Sequence, residues 1–465
     1  MFLLALLPLE TYLPVVSGEP DLLPRVTVAR NGDFLYVGFA GALAVISVPF
    51  RNVQAVLPVP EPVVRVVGSP LGTEAFWVGP SGTLYHTRFP SRQTRSLDRQ
   101  PGIRSMAWSA TGVVLKGRNG VSLRSFSGIP MAGRVPRDAV WAGDTMEIPR
   151  SDPRWTWLLP FAEKSPIHAW DPVDNRAWMW TLDEGLVSVD LTTGTVDRWT
   201  LPVLPGAAPT ALVPGQAFLW VLMEGRVVQV PADRPTPSPT AYPASSTTAW
   251  MRTRFVDGCR GEDGRWWFVA PHRVVVLDGR RWQPRRQGVP DRIAAVVCTT
   301  RGVWVGTAEG IWDLQQRAWR IRDLDVRDLV YLAPSTWVLT PDRVYRQEDE
   351  AWTTLTEDLL PPGELLRFGR SAETLWVLGR NGALRLSLDR KRWERLPGLD
   401  AVVERDGEIW AAMGTELYRS TPEDLPLLVK ESLDPPLDQP ILDLAMMAHR
   451  LWVLTDRGLG VYRLP

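Results

Sequence analysis

The stretch RGVWVGTAEGIW, Arg301–Trp312, decides the fold. A tryptophan stands between two valines, a glycine follows, and a short polar turn ends in a second glycine before the chain becomes apolar again. A brief apolar run closed by a glycine-bearing turn and answered by another apolar run reads as a β-hairpin. The phrase recurs along the chain. FLYVGFAG ends at Gly41, FWVGPSG at Gly82, MWTLDEG at Gly185, LWVLMEG at Gly225, LWVLGRNG at Gly382 and LWVLTDRG at Gly458. RWWFVAPHRV and TWVLTPDRV carry Arg273 and Arg343 where the others have glycine, and IWAAMGTEL and GVVLKGRNG are looser copies.

With the aromatic residue or its equivalent as anchor, the series runs Tyr36, Trp77, Val114, Trp141, Trp180, Trp220, Trp267, Trp304, Trp337, Trp376, Trp410 and Trp452. The steps scatter around roughly 40 residues, and a period of that size built from strand phrases points to propeller blades rather than helical solenoids. A blade is sandwiched between two neighbours, so its middle strands are buried on both faces and read as continuous apolar runs. Blades radiate from an axis, and the space between them widens outward. A rigid indole fills that wedge and removes a large apolar area from water. The turn glycine supplies the positive φ of a short hairpin. The fold class is all-β, a tandem β-propeller of about 11–12 blades.

The segment PADRPTPSPTAYPASSTT, Pro231–Thr248, is rich in proline and small polar residues and reads as an extended linker or long loop. Six anchors precede it and six follow. The simplest division is therefore an N-terminal segment 1–19, a six-bladed propeller over 20–232, a linker over 233–248 and a second six-bladed propeller over 249–465. Seven blades plus five, or one large ring, are the alternatives. The N-terminus MFLLALLPLETYLPVVSGEP lacks the basic residues of a secretory signal, and Glu10 and Thr11 interrupt its apolar run. It is either a signal-peptide remnant or a first strand. The last phrase stops short of a complete outer strand. An open edge templates aggregation, so a strand from near the start of the chain or from the linker is expected to close that blade.

The phrase GVWVGTAEGIWDL resembles the two-component regulator propeller repeat, whose core is W-[IV]-G-T-x-x-G-[IL]. Trp304, Val305, Gly306, Thr307, Gly310 and Ile311 match it, and FWVGPSGTL and LWVLTDRGL match with changes at Pro80 and Leu454. The resemblance implies a sensing or scaffolding domain exposed in the cell envelope. LVSVDLTTGTVDRW, Leu186–Trp199, is similar to one repeat of quinoprotein-like propellers, a family that includes dehydrogenases and non-enzymatic assembly scaffolds.

Lysine plus arginine number 52, balanced by 52 aspartates and glutamates, and the pI of about 6.9 offers no field for nucleic acid. Only Lys116, Lys164, Lys391 and Lys430 are lysines, so the basic charge is almost all arginine, which stacks on aromatics and pairs bidentately. No apolar run is long enough to span a bilayer. No nucleophile elbow, phosphate loop or metal-histidine motif occurs, and no cofactor is expected. The acidic groups in DEG, GEDG and QEDE fall in expected turns. Arg280, Arg281, Arg285 and Arg286 form the candidate partner-binding cluster, as an anion site or as a solvated outer strand. Cys259 and Cys298 lie one repeat apart on equivalent strands, either as two thiols or as a disulfide in an exported protein.

The expected function is a non-enzymatic interaction or scaffold module of the bacterial cell envelope, periplasmic rather than cytoplasmic. It would bind a protein or glycan partner through propeller faces. The rivals are a propeller enzyme (lyase, hydrolase or quinone-dependent dehydrogenase) with a funnel site, and a structural subunit of a membrane-associated assembly.

Overall fold

The computed structural model describes residues 6–16, 27–50, 52–99, 102–117, 120–132, 135–136, 139–141, 157–158, 167–171, 175–181, 185–199, 204–205, 208–233, 240–242, 253–279, 281–285, 289–348, 351–355, 360–387, 392–434 and 439–464. Along them the chain is a tandem β-propeller made of small antiparallel sheets. It divides into two compact units, one of residues 1–10 and 206–465 and one of residues 11–205.

The larger unit holds seven blades: 209–242, 257–285, 293–322, 328–354, 365–396, 401–434 and 441–463, numbered 1 to 7 below. The first strand of each lies innermost. Blade 1 packs on blade 2 and on blade 7, which closes the ring. Blade 7 supplies three strands of its own (Ile441–Met447, Arg450–Thr455, Gly458–Arg463), and the N-terminal strand Leu6–Val16 lies beside the last of them as the fourth. The same strand pairs in parallel with blade 6, Leu6 opposite Ser432 and Pro8 opposite Asp434. The smaller unit holds four sheets among the described residues, 27–58, 65–99, 103–131 and 167–199.

This division differs from the expected six plus six, for two physical reasons. The proline-rich run is not all linker, because Thr240–Tyr242 pairs with Val227–Pro231 as the outer strand of blade 1. It is the edge strand of its sheet, a place where prolines are tolerated. The Trp141 phrase also builds no blade of its own among the described residues. Val140–Trp141 is a two-residue addition to the inner strand Ile103–Ser109.

The anchors are the interior. Trp77, Trp220, Trp267, Trp304, Trp337, Trp376, Trp410, Trp452 and Tyr36 are each 1% exposed or less. Each described wedge spans two blades: Trp220 meets Phe268 and Val275, Trp267 meets Val296 and Val305, Trp337 meets Leu375 and Val377, and Trp376 meets Val402 and Ile409. In the sheet over 167–199 the indole of Trp178 is fully buried and lies 5.2 Å from the Trp199 ring, while the side chain of the Trp180 anchor lies outside the described residues. Arginines close the wedges from outside. Arg285, Arg320, Arg346, Arg385 and Arg419 sit 5.0–6.0 Å over the rings of Trp267, Trp304, Trp337, Trp376 and Trp410. Arg385 is itself buried, paired with Glu394 at 3.0 Å and Glu404 at 2.6 Å, and Glu404 also accepts the Trp376 indole N–H at 2.7 Å.

Gly310 takes φ +138°, and a Cβ there would lie 2.1 Å from the Ile321 carbonyl oxygen. Gly306 has a different cause: a Cβ would stand 2.4 Å from Val326 Cγ1, where the chain enters blade 4. Thr307 Oγ1 donates to Gly310 O at 3.0 Å and accepts Glu309 N–H at 3.1 Å, tying the turn. Thr340 with Arg343 and Thr455 with Gly458 repeat that tie at 3.1 Å.

Three outcomes are expected. Gly306→Ala overpacks against Val326 and lowers the unfolding free energy by about 1–3 kcal/mol in urea titration. Arg385→Met strands Glu404 and Glu394 and costs about 3–5 kcal/mol by the same measurement. Removal of residues 1–10 bares the Gly458–Arg463 strand edge, and light scattering will show a concentration-dependent rise in mass.

Candidate functional site

In a blade's inner strand the backbone N–H groups that point at the axis have no neighbouring strand to receive them, and a buried donor needs a partner. In the larger unit, seven equivalent positions sit at this place. Each lies opposite the residue two beyond the anchor tryptophan: Ala211, Asp257, Ala295, Asp328, Arg367, Ala401 and Asp443.

The three aspartates perform one task. Asp257 Oδ2 accepts the Val296 N–H at 2.8 Å, Asp328 Oδ2 accepts that of Phe368 at 2.7 Å, and Asp443 Oδ2 accepts that of Leu212 at 2.8 Å. Every acceptor reaches the residue just past the equivalent position in the next blade. The second oxygen takes the aspartate's own following N–H: Gly258, Leu329 and Leu444, at 2.7, 2.7 and 2.9 Å. These carboxylates are clasps between blades 2 and 3, 4 and 5, and 7 and 1.

Two arginines complete the axis. Arg370 forks onto Asp443, with Nη2 to Oδ2 at 2.6 Å and Nε to Oδ1 at 3.4 Å. Arg367 donates to the carbonyls of Leu442, at 2.8 Å, and Asp400, and stands 3.8 Å from Asp443. Burial works against ionising Asp443, yet Arg370 and Arg367 overcome it and hold its carboxyl below the ordinary value. Burial raises the Asp328 carboxyl. Burial first, and then the Asp328 carboxylate, push that of Asp257 up to about 7 against the pull of two backbone N–H groups and Arg370.

The sequence-derived candidates fall elsewhere. Arg281 and Arg285 are exposed on the outer strand of blade 2, Arg281–Arg285. Arg285 is engaged with Trp267. Arg280 and Arg286 lie outside the described residues. The described part of the cluster lies on that outer strand. Cys259 and Cys298 are joined in a disulfide, with Cα atoms 5.7 Å apart, on the inner strands of blades 2 and 3. In the turn GEDG, Asp263 accepts the Arg265 N–H at 3.0 Å, as a turn residue does. Among the described residues, no three His, Cys, Asp or Glu side chains gather to hold a metal. The axial aspartates were missed. Their mark is an acid nine or ten residues ahead of the anchor, in VDGCR, RDLVYL and LDLAMM.

No family model matches the chain, and no curated protein matches it. Solved structures align with it at low identity. The extracellular domain of a hybrid two-component system of B. thetaiotaomicron aligns at 11% identity and TM-score 0.46, over 97% of this chain and 70% of that one. The extracellular domain of a one-component system of the same organism aligns at 12% identity and TM-score 0.34, over 96% and 76%. The mitotic checkpoint complex aligns at 13% and 0.45, over 56% and 93%.

The axial acids set a pH dependence. Folded, Asp257 keeps its proton to about pH 7; unfolded, it loses it near 3.8. Between those values the folded chain binds more protons. This group's contribution is therefore whole below pH 3.8 and lost as pH rises through 7. The urea midpoint of the native chain will fall between about pH 4 and pH 7, and Asp257→Asn will shrink that fall. An equal fall in the variant removes Asp257 as its source.

Proposed function

We propose that this chain is a non-enzymatic binding module of the bacterial cell envelope that offers preformed propeller faces to a protein or glycan partner. The observation that carries this reading is the use of the axial polar groups. The place where a propeller would keep a funnel site is occupied by carboxylates and arginines that bind one another and the next blade's backbone. Groups so committed stiffen the ring, and a stiff surface loses little entropy when it binds. The Cys259–Cys298 bond supports an oxidising compartment. No helix among the described residues is long and apolar enough to cross a membrane.

A funnel enzyme is the second reading, favoured by the carboxyl of Asp257 near 7, which suits acid–base chemistry. One experiment separates the two. Cross-linking in native envelopes, followed by mass spectrometry of the chain and its Asp257→Asn variant, is expected to give the same partner cross-linked to inter-strand loops in both. Loss of turnover of an envelope substrate in the variant, with no cross-linked companion in either, overturns the binding reading.

A further inference from the structure

We propose that the Cys259–Cys298 bond is a redox lock on the joint between blades 2 and 3, opened by a dithiol reductant. The joint has two links side by side on the same pair of inner strands. Asp257 Oδ2 accepts the Val296 N–H at 2.8 Å, and two residues further along both strands Cys259 is bonded to Cys298.

The other two clasps provide the comparison. At the blade 4–5 joint the positions matching the cysteines hold Val330 and Arg370, and at the blade 7–1 joint they hold Ala445 and Pro214. Arg370 thus takes the place of Cys298 at one joint and neutralises Asp443 at another. Asp443 has its fork, and Asp328 lies in the field of both Arg367 and Arg370. Asp257 has no such fork among the described residues, and the Asp328 carboxylate acts on it repulsively. The clasp with the least charge compensation is the one reinforced by a covalent bond. Both cysteines are half-buried at the margin of the apolar cluster of Trp267, Ile293, Val296 and Val305, so the bond lies at an edge rather than deep in the core.

The chemistry balances. One thiolate of the dithiol attacks a sulfur of the bond and forms a mixed disulfide, releasing the other cysteine as a thiol. The second thiol of the reductant then displaces the remaining cysteine. The cysteine pair gains two electrons and two protons, and the reductant leaves as a disulfide. The joint then rests on Asp257, on wedge packing and on the Ile293 N–H bond to the Pro271 carbonyl at the strand's far end, and its inner strands open more often than those of the other joints.

The test is hydrogen exchange by mass spectrometry on the full chain, before and after treatment with dithiothreitol in native buffer, with thiol titration alongside. Titration is expected to find no free thiol before treatment and two after. Reduction should speed exchange at least tenfold at 257–260 and 293–299 while 328–332 and 441–447 keep their rates. The Cys259→Ser/Cys298→Ser variant should match the reduced protein. Asp257→Asn should speed exchange at the joint further when reduced than when oxidised, whereas Asp328→Asn should act equally in both states. Unchanged rates at the joint, an equal rise at all joints, two free thiols in the untreated protein, or a bond that dithiothreitol leaves intact would each overturn the lock.

Discussion

The constraint on which the structure depends is the geometry of sheets arranged around an axis. Such sheets converge inward and diverge outward, and two different problems follow from that one shape. Outward, the gap must be filled by something large, apolar and rigid, which is why the anchors are indoles buried to 1% or less. Inward, each blade ends on a strand with a ladder partner on one side only, so its axial N–H groups need acceptors. The aspartate clasps answer the second problem as the tryptophans answer the first.

The near-exclusive use of arginine gains a structural reason. A guanidinium can lie flat on an indole and still donate in its own plane to a carboxylate. Arg385 does both, covering Trp376 while holding Glu394 and Glu404. Arg320 does the same over Trp304 with Asp313, whose carboxylate also receives the indole N–H at 3.1 Å. A lysine ammonium, compact and strongly hydrated, fits that double role poorly. The acids in these sets are engaged by indoles and arginines.

Closure joins the two ends of the chain. Blade 7 is completed by residues from the N-terminus, so the seven-bladed ring forms only when the first and last segments meet. This kind of pairing over very long sequence separation carries a high loop-closure cost, and it secures the ring against opening at its seam. The Asp443 to Leu212 clasp lies at the blade 7–1 joint. The ring therefore has a strand exchange in its last outer layer and a charged hydrogen bond at its centre.

The amino-acid sequence alone determined the strand phrases, their period and the wedge role of tryptophan, because each is a local matter of residue type and spacing. Trp304, Gly310 and the turn threonine could be read from RGVWVGTAEGIW itself. The sequence missed the reason for Gly306, since the atom that forbids a side chain there belongs to Val326, twenty residues on. Tertiary structure decided the seven blades of the larger unit and the use of Thr240–Tyr242 as a strand within a run that reads as linker. It also decided which acids matter. Asp257, Asp328 and Asp443 look like ordinary strand-edge residues one at a time, and they become a set only when the blades close and bring their carboxylates to the next blade's free N–H. Local chemistry repeats along the chain, whereas closure depends on distant segments meeting, and no single repeat records where its neighbours will stand.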